Sequence, residues 1–161
     1  MGQRSSAIAD RIELGAKGLA AFAEGLSDAD WTKVVKPDGR MVGVMVHHVA
    51  SVYPIEIQLA QGVASGKAMT GVTYEGAVKE MNAKHAAEHA GVTKAQTVAL
   101  LKQNSKVAAD AVRAMADADL DRAAPVSLNS DAPLTAQFVL EDHAVRHSWH
   151  HLAKIKGALA R

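Results

Sequence analysis

Cysteine is absent from the 161 residues, which excludes disulfides, thiolate metal sites and cysteine nucleophiles. Aromatic residues make up only 4% of the chain. The core must therefore be aliphatic, and the abundant alanine favours helices packed closely together. Neither sign of charge dominates: 18 basic and 17 acidic residues leave a formal charge of +1, with no basic block and no acidic tail. Such a distribution offers no footing for nucleic acid or a membrane surface. No apolar run approaches the ~20 residues that span a bilayer. The first residues, MGQRSSAIADRIELGAKG, lack the apolar stretch of a signal peptide, so a cytoplasmic location is expected. There is no Gly-x-Ser-x-Gly nucleophile elbow, and no Glu-x-x-His motif of the kind a di-iron bundle takes from its helices.

Histidine is what the chain has in excess. It holds eight, four of them in HAVRHSWHH at 143–151. The length fits one domain, residues 1–161, around a single core. Apolar residues recur at helical spacing in four long segments. The first is Ser5 to Leu26, the second Met41 to Gln61 with a kink expected at Pro54, the third Lys94 to about Asp117 behind a Thr93 N-cap, and the last Leu134 to Leu159. A shorter helix is expected from Tyr74 to His89. LSDADWTKVVKPDGR and RAAPVSLNSDAPL read as loops, and VSL near residue 127 is too short for a strand. The reading is all-α: an antiparallel four-helix bundle with a long crossover.

Helical rotation of roughly 100° per residue sorts the histidines. On the last helix Leu140, Ala144, Ser148, Ile155 and Leu159 define the buried stripe. His151 lies in it and His147 beside it, while His143 and His150 fall towards solvent. On the second helix His48 sits among Met41, Val44, Met45, Val52, Ile55 and Leu59, and His47 points away. A buried imidazole needs a partner for each ring nitrogen. An i, i+4 pair on one helix and a single histidine on a facing helix can converge on one ion, the geometry of a three-histidine catalytic site. Hydrogen-bonded core histidines are the simpler alternative. Glu56 and Glu141 also fall inward on their helices. Each is a candidate general base or partner of a ligand, against the plainer role of a rim carboxylate paired with Lys or Arg.

Other signals carry less. HAAEH at 85–89 matches an inverted zinc-protease pattern, but such proteases are far larger, so His85 and His89 read as chance histidines on a solvated helix. GVASGKAMT has the wrong spacing for a phosphate loop and reads as a helix stop. Met41 and Met45 read as core. Trp149 points away from the histidine pair and covers either a bundle edge or a dimer interface.

Three stretches, WTKVVKPDGRMVGVMVHH, HHVASVYPIE and HSWHHLAKIKGAL, together resemble the DinB-like metalloenzyme family. Its wider superfamily includes mycothiol-dependent maleylpyruvate isomerases and bacillithiol transferases. The order of the motifs fits over nearly the whole chain. The resemblance implies a four-helix bundle with His48, His147 and His151 as metal ligands, the same three that the helical rotation selects. It also implies a divalent ion, a small-molecule substrate and, in some branches, a low-molecular-weight thiol as cosubstrate. Imidazole donors suit zinc or nickel first, with copper, iron or manganese also compatible. The expected activity is thiol transfer, isomerisation or hydrolysis; the alternative is a non-catalytic metal-binding or stress-response bundle. The alanine-rich helices suit a homodimer.

Overall fold

A computed structural model describes residues 2–160. Helix α1, Gln3–Glu24, turns Ile8, Ile12, Ala16 and Leu19 inward at spacings of three and four. A short helix α2, Asp28–Thr32, follows where a loop was expected. It starts at a capping box in which Ser27 accepts from the Asp30 N–H and the Asp30 carboxylate accepts from the Ser27 N–H. Its Trp31 is buried against Gly43, where an added Cβ would come within 2.5 Å of the indole, and donates to the Val92 carbonyl at 3.0 Å. The tryptophan thus fixes the start of the next helix.

That helix, α3, spans Val42–Ala64 and is buried on most of its circumference. Helix stretches unbroken across Pro54. Proline lacks the N–H that would bond the Ala50 carbonyl four residues back, and the Asn104 side chain donates to that carbonyl instead, at 2.8 Å. The crossover continues through a wide π-type turn, Tyr74–Val78, into α4, Lys79–Glu88, which has no fully buried side chain. Helix α5, Lys94–Arg113, starts at Thr93, whose hydroxyl accepts from the Gln96 N–H as the N-cap reading requires. A short α6, Asp117–Leu120, leads to the last segment.

The expectation of a strand-free loop at 122–134 is corrected. Ala123–Val126 (β1) and Ala132–Thr135 (β2) pair antiparallel, with Pro125 opposite Pro133. Two four-residue strands with one proline each give too little alternation to read from sequence, and the hairpin is completed from elsewhere. The Met69 N–H donates to the Pro125 carbonyl and the Ser127 N–H to the Met69 carbonyl, both at 2.8 Å. Ser130 and Asp131 close the turn at φ of 56° and 58°.

The last helix begins at Thr135, which accepts from the Phe138 N–H. It runs through α7 (Ala136–Val139), a π-helical turn (Leu140–Val145) and α8 (Arg146–Leu159). In the bundle α1 packs against α5 and α8, and α3 packs against α5 and the α7–α8 helix. Helices α1 and α3 are therefore diagonal, as are α5 and α8. Leu19, Met45, Leu101, Leu140 and Ile155 fill the centre with no exposure; each such side chain contributes roughly 1.5–3 kcal/mol by burial. Trp149 lies over Gly15 and Gly18 of α1 at the bundle edge and is 43% exposed.

Candidate metal centre

This helix order makes α3 and α8 neighbours and places the middle of α3 beside the first turns of α8, where three imidazoles meet. The ring centroids of His48, His147 and His151 are 4.7–5.3 Å apart. Each offers a nitrogen within 4.8 Å of the other two. His48 and His151 are buried and His147 is partly so. The helices hold them in register through a buried 2.7 Å bond between the hydroxyls of Tyr53 on α3 and Ser148 on α8. Burial raises the Tyr53 hydroxyl above its ordinary pKa, so it stays neutral.

Glu56 lies three residues, just under one turn, beyond Tyr53 on α3 and is itself buried. Its Oε1 accepts a short hydrogen bond from Nδ1–H of His147. With the carboxylate oxygen accepting, this bond puts a proton on Nδ1 and makes Nε2 the nitrogen that His147 can offer to a metal. Burial first, and the neighbouring His147 second, push His48 down to about 3 and His151 in the same direction. Both rings are neutral, the form that binds a metal.

The chemistry of this donor set fits a divalent transition ion, since three neutral imidazoles suit zinc, nickel or ferrous iron. A second observation agrees. Nδ1 of His151 is buried with no hydrogen-bond partner, as are Oε2 of Glu56 and Nη1 of Arg40, and buried polar atoms in proteins are otherwise nearly always satisfied. All three residues border one cleft of about 590 Å³. Its apolar wall comes from Val52, Ile55 and Leu59 of α3, Val78 and Met81 of the crossover, and Leu128. Its polar side holds the three histidines, Glu56, Arg40, Arg146 and Lys154. Asp38 grips Arg40 through two contacts, 2.6 and 2.9 Å.

The remaining residues singled out in the sequence separate. Glu141 is not at the cleft. It faces α1 and accepts from Arg11 at 2.7 Å, so it is the rim carboxylate of the plainer reading. The π-helical turn from Leu140 to Val145 breaks the 100° count that pointed Glu141 inward. Of the two histidines expected towards solvent, His150 is exposed although it borders the cleft, while His143 turns into the cleft with only 16% of its side chain exposed.

The expectation for His85 and His89 is corrected more strongly. With His47, which points away from the first triad as expected, they form a second group whose ligand nitrogens also lie within 4.8 Å of one another. His47 Nδ1 is 2.9 Å from His85 Nε2, and the His89 ring lies 4.1 Å from that of His47 and 4.6 Å from that of His85. Burial pushes His85 down to about 4, helped by His89 and His47. The solvated reading failed because α4 folds back onto α3. The i, i+4 spacing of His85 and His89 was the available signal, and only the position of His47 made it meaningful.

Comparison with known proteins gives no significant match to a curated sequence. Among solved structures the fold is similar to that of YfiT from Bacillus subtilis, described as a probable metal-dependent hydrolase with an unusual four-helix bundle topology. The TM-score is 0.76 at 17% identity, over 100% of this chain and 89% of that one. At that identity the likeness concerns the fold. The sequence profile of the DinB superfamily matches residues 11–155, and with 145 of 161 residues inside that match the chain belongs to the DinB superfamily.

Proposed function

We propose that this chain is a metal-dependent enzyme acting on a small molecule, with His48, His147 and His151 as ligands of a divalent ion. The observation that carries the reading is the convergence of three imidazoles on one side of a cleft, with a buried carboxylate behind one of them. A closed structural site would have no such space beside it. An ion held there would lower the pKa of a water or small thiol and supply a nucleophile at neutral pH.

The side chains divide the remaining work. Glu56 is a positioning residue: it fixes the tautomer and tilt of His147. Burial keeps His48 and His151 unprotonated at neutral pH, so their lone pairs are available without competition from protons. Val52, Ile55, Leu59 and Met81 receive the apolar part of a substrate and exclude water from it. The unpartnered Nη1 of Arg40 is a donor for an oxygen or an anionic group on that substrate. Hydrolysis is favoured by the description of YfiT. Thiol transfer is the second branch, implied by the resemblance to thiol-dependent relatives.

The test is elemental analysis of untagged protein beside His151→Ala, followed by an ester and amide panel with and without a small thiol. The expected result is one ion fewer per chain in the variant, and turnover that a chelator and His151→Ala both abolish. Equal ion content in the two proteins would overturn the assignment of ligands. Turnover indifferent to chelator would overturn the metal-dependent reaction.

A further inference from the structure

The crossover helix presents a problem of its own. Helix α4 has ten residues and no fully buried side chain, and Met81 on it is 39% exposed. A helix of that length is marginal without tertiary support. Yet it supplies Met81 and Asn82, and the turn before it Ala77 and Val78, to the wall of the cleft. Polar contact with the bundle comes through histidine. His85, one turn from the end of α4, and His89, the residue just past it, reach back to His47 on α3.

The three imidazoles do not satisfy one another. The contact of His47 Nδ1 with His85 Nε2 uses one donor and one acceptor, and His85 Nδ1 is left buried with no partner. The Ser51 hydroxyl, 3.2 Å from His47 Nδ1, donates to the His47 carbonyl at 2.8 Å. Two nitrogens bound to one tetrahedral ion at about 2.0–2.1 Å sit roughly 3.3–3.4 Å apart. The 2.9 Å contact between His47 and His85 would have to open by only a few tenths of an ångström to admit one. His47, His85 and His89 do not border the cleft, so this group is separate from the proposed catalytic one, although the His85 and His48 rings are only 5.6 Å apart.

We propose that His47, His85 and His89 form a second divalent-metal site, a staple that fastens the crossover helix to α3 and thereby sets the wall of the cleft. Its ligands are an i, i+4 pair on the crossover and one histidine of the bundle. The mixed, half-exposed setting favours zinc or another borderline ion over calcium or magnesium, which require oxygen donors. The site does not depend on the first triad being occupied.

The experiment is equilibrium dialysis of the metal-stripped full chain against zinc, with bound zinc measured by elemental analysis. The variants are His89→Ala at the second triad, and His151→Ala and His147→Gln at the first. His89 is half-exposed beyond the end of its helix, so His89→Ala keeps the fold, as circular dichroism verifies; His147→Gln covers the case that His151→Ala fails to fold. Two zinc ions in the wild type and one in His89→Ala support the staple. One ion in the wild type, none in His89→Ala and one in the first-triad variants also support it, and would overturn the first reading alone. Equal zinc in wild type and His89→Ala would overturn it. A second readout is amide exchange over residues 79–89, which zinc should slow at least tenfold in the first-triad variants and leave unchanged in His89→Ala. Unchanged exchange in both would overturn the staple.

Discussion

The two histidine triads lie side by side and share a helix, since His47 and His48 are neighbours on α3, yet they are built differently. The first takes its other two members from one face of α8, is mostly buried, and has Glu56 behind His147. The second takes its partners from a short crossover helix with no buried side chain, is half-exposed throughout, and has a serine hydroxyl where the first has a carboxylate. The first is held by packed helices and by the Tyr53–Ser148 bond; the second has to help hold its own helix in place. Rigid support and a carboxylate partner mark the triad suited to chemistry, and their absence marks the one suited to fastening.

The largest separation between them is expected from His151→Leu. It should abolish binding and turnover at the first triad while zinc at the second stays unchanged. In metal-free protein the same change removes a buried nitrogen without a partner, so it should raise stability by about 1–2 kcal/mol in chemical denaturation. A loss of stability in chelator would mean that His151 is a satisfied core residue. Glu56→Gln comes next. It should weaken metal affinity at the first triad by about 10–100-fold and leave the second unaffected in a chelator competition. Equal weakening at both would erase the distinction drawn from the carboxylate.

Arg40 borders the first triad's cleft and bears on His85 of the second as well, and Asp38 holds it. The Arg40 guanidinium keeps the Asp38 carboxyl below the usual carboxylate range. The folded state thus binds that proton less readily than the unfolded state. Its contribution is present above about pH 4 and is lost as pH falls through the lowered folded value. Asp38→Asn should remove about 1 kcal/mol above that pH, with the difference from wild type shrinking in acid denaturation below it. A constant difference at all pH values would disprove the charge-based account. Ser51→Ala should have the smallest effect, shifting zinc affinity at the second triad less than about threefold, because the hydroxyl already donates to a backbone carbonyl. A Glu56-sized loss there would show the second triad to be backed as firmly as the first.

The candidate site was legible in sequence where it depended on helical period alone. The spacing of His147 and His151, and the place of His48 among Met45, Val52 and other apolar residues, put all three inward. The structure brings them together within 4.8 Å. Glu56 and Glu141 looked alike by the same count, and only packing separates them. One meets His147 across the α3–α8 contact, and the other meets Arg11 on α1 beyond a π-helical turn. HAAEH carried a metal-like spacing that was discounted because proteases with that pattern are far larger, and nothing local shows that α4 returns to α3. The β1–β2 hairpin was missed because two of the backbone bonds that hold it come from Met69, more than fifty residues away.

The sequence by itself determined the long helices, the cap at Thr93, the inward face of each long helix and, through ordered motifs, the superfamily. These depend on interactions within a few residues, where the 3.6-residue period leaves a direct trace. Tertiary structure decided the diagonal order of the helices, the choice between the two glutamates, the cleft beside His48, and the meeting of His47 with His85 and His89. Each of these is a contact between segments distant in the chain, set by how whole surfaces pack, and a local pattern carries no record of it.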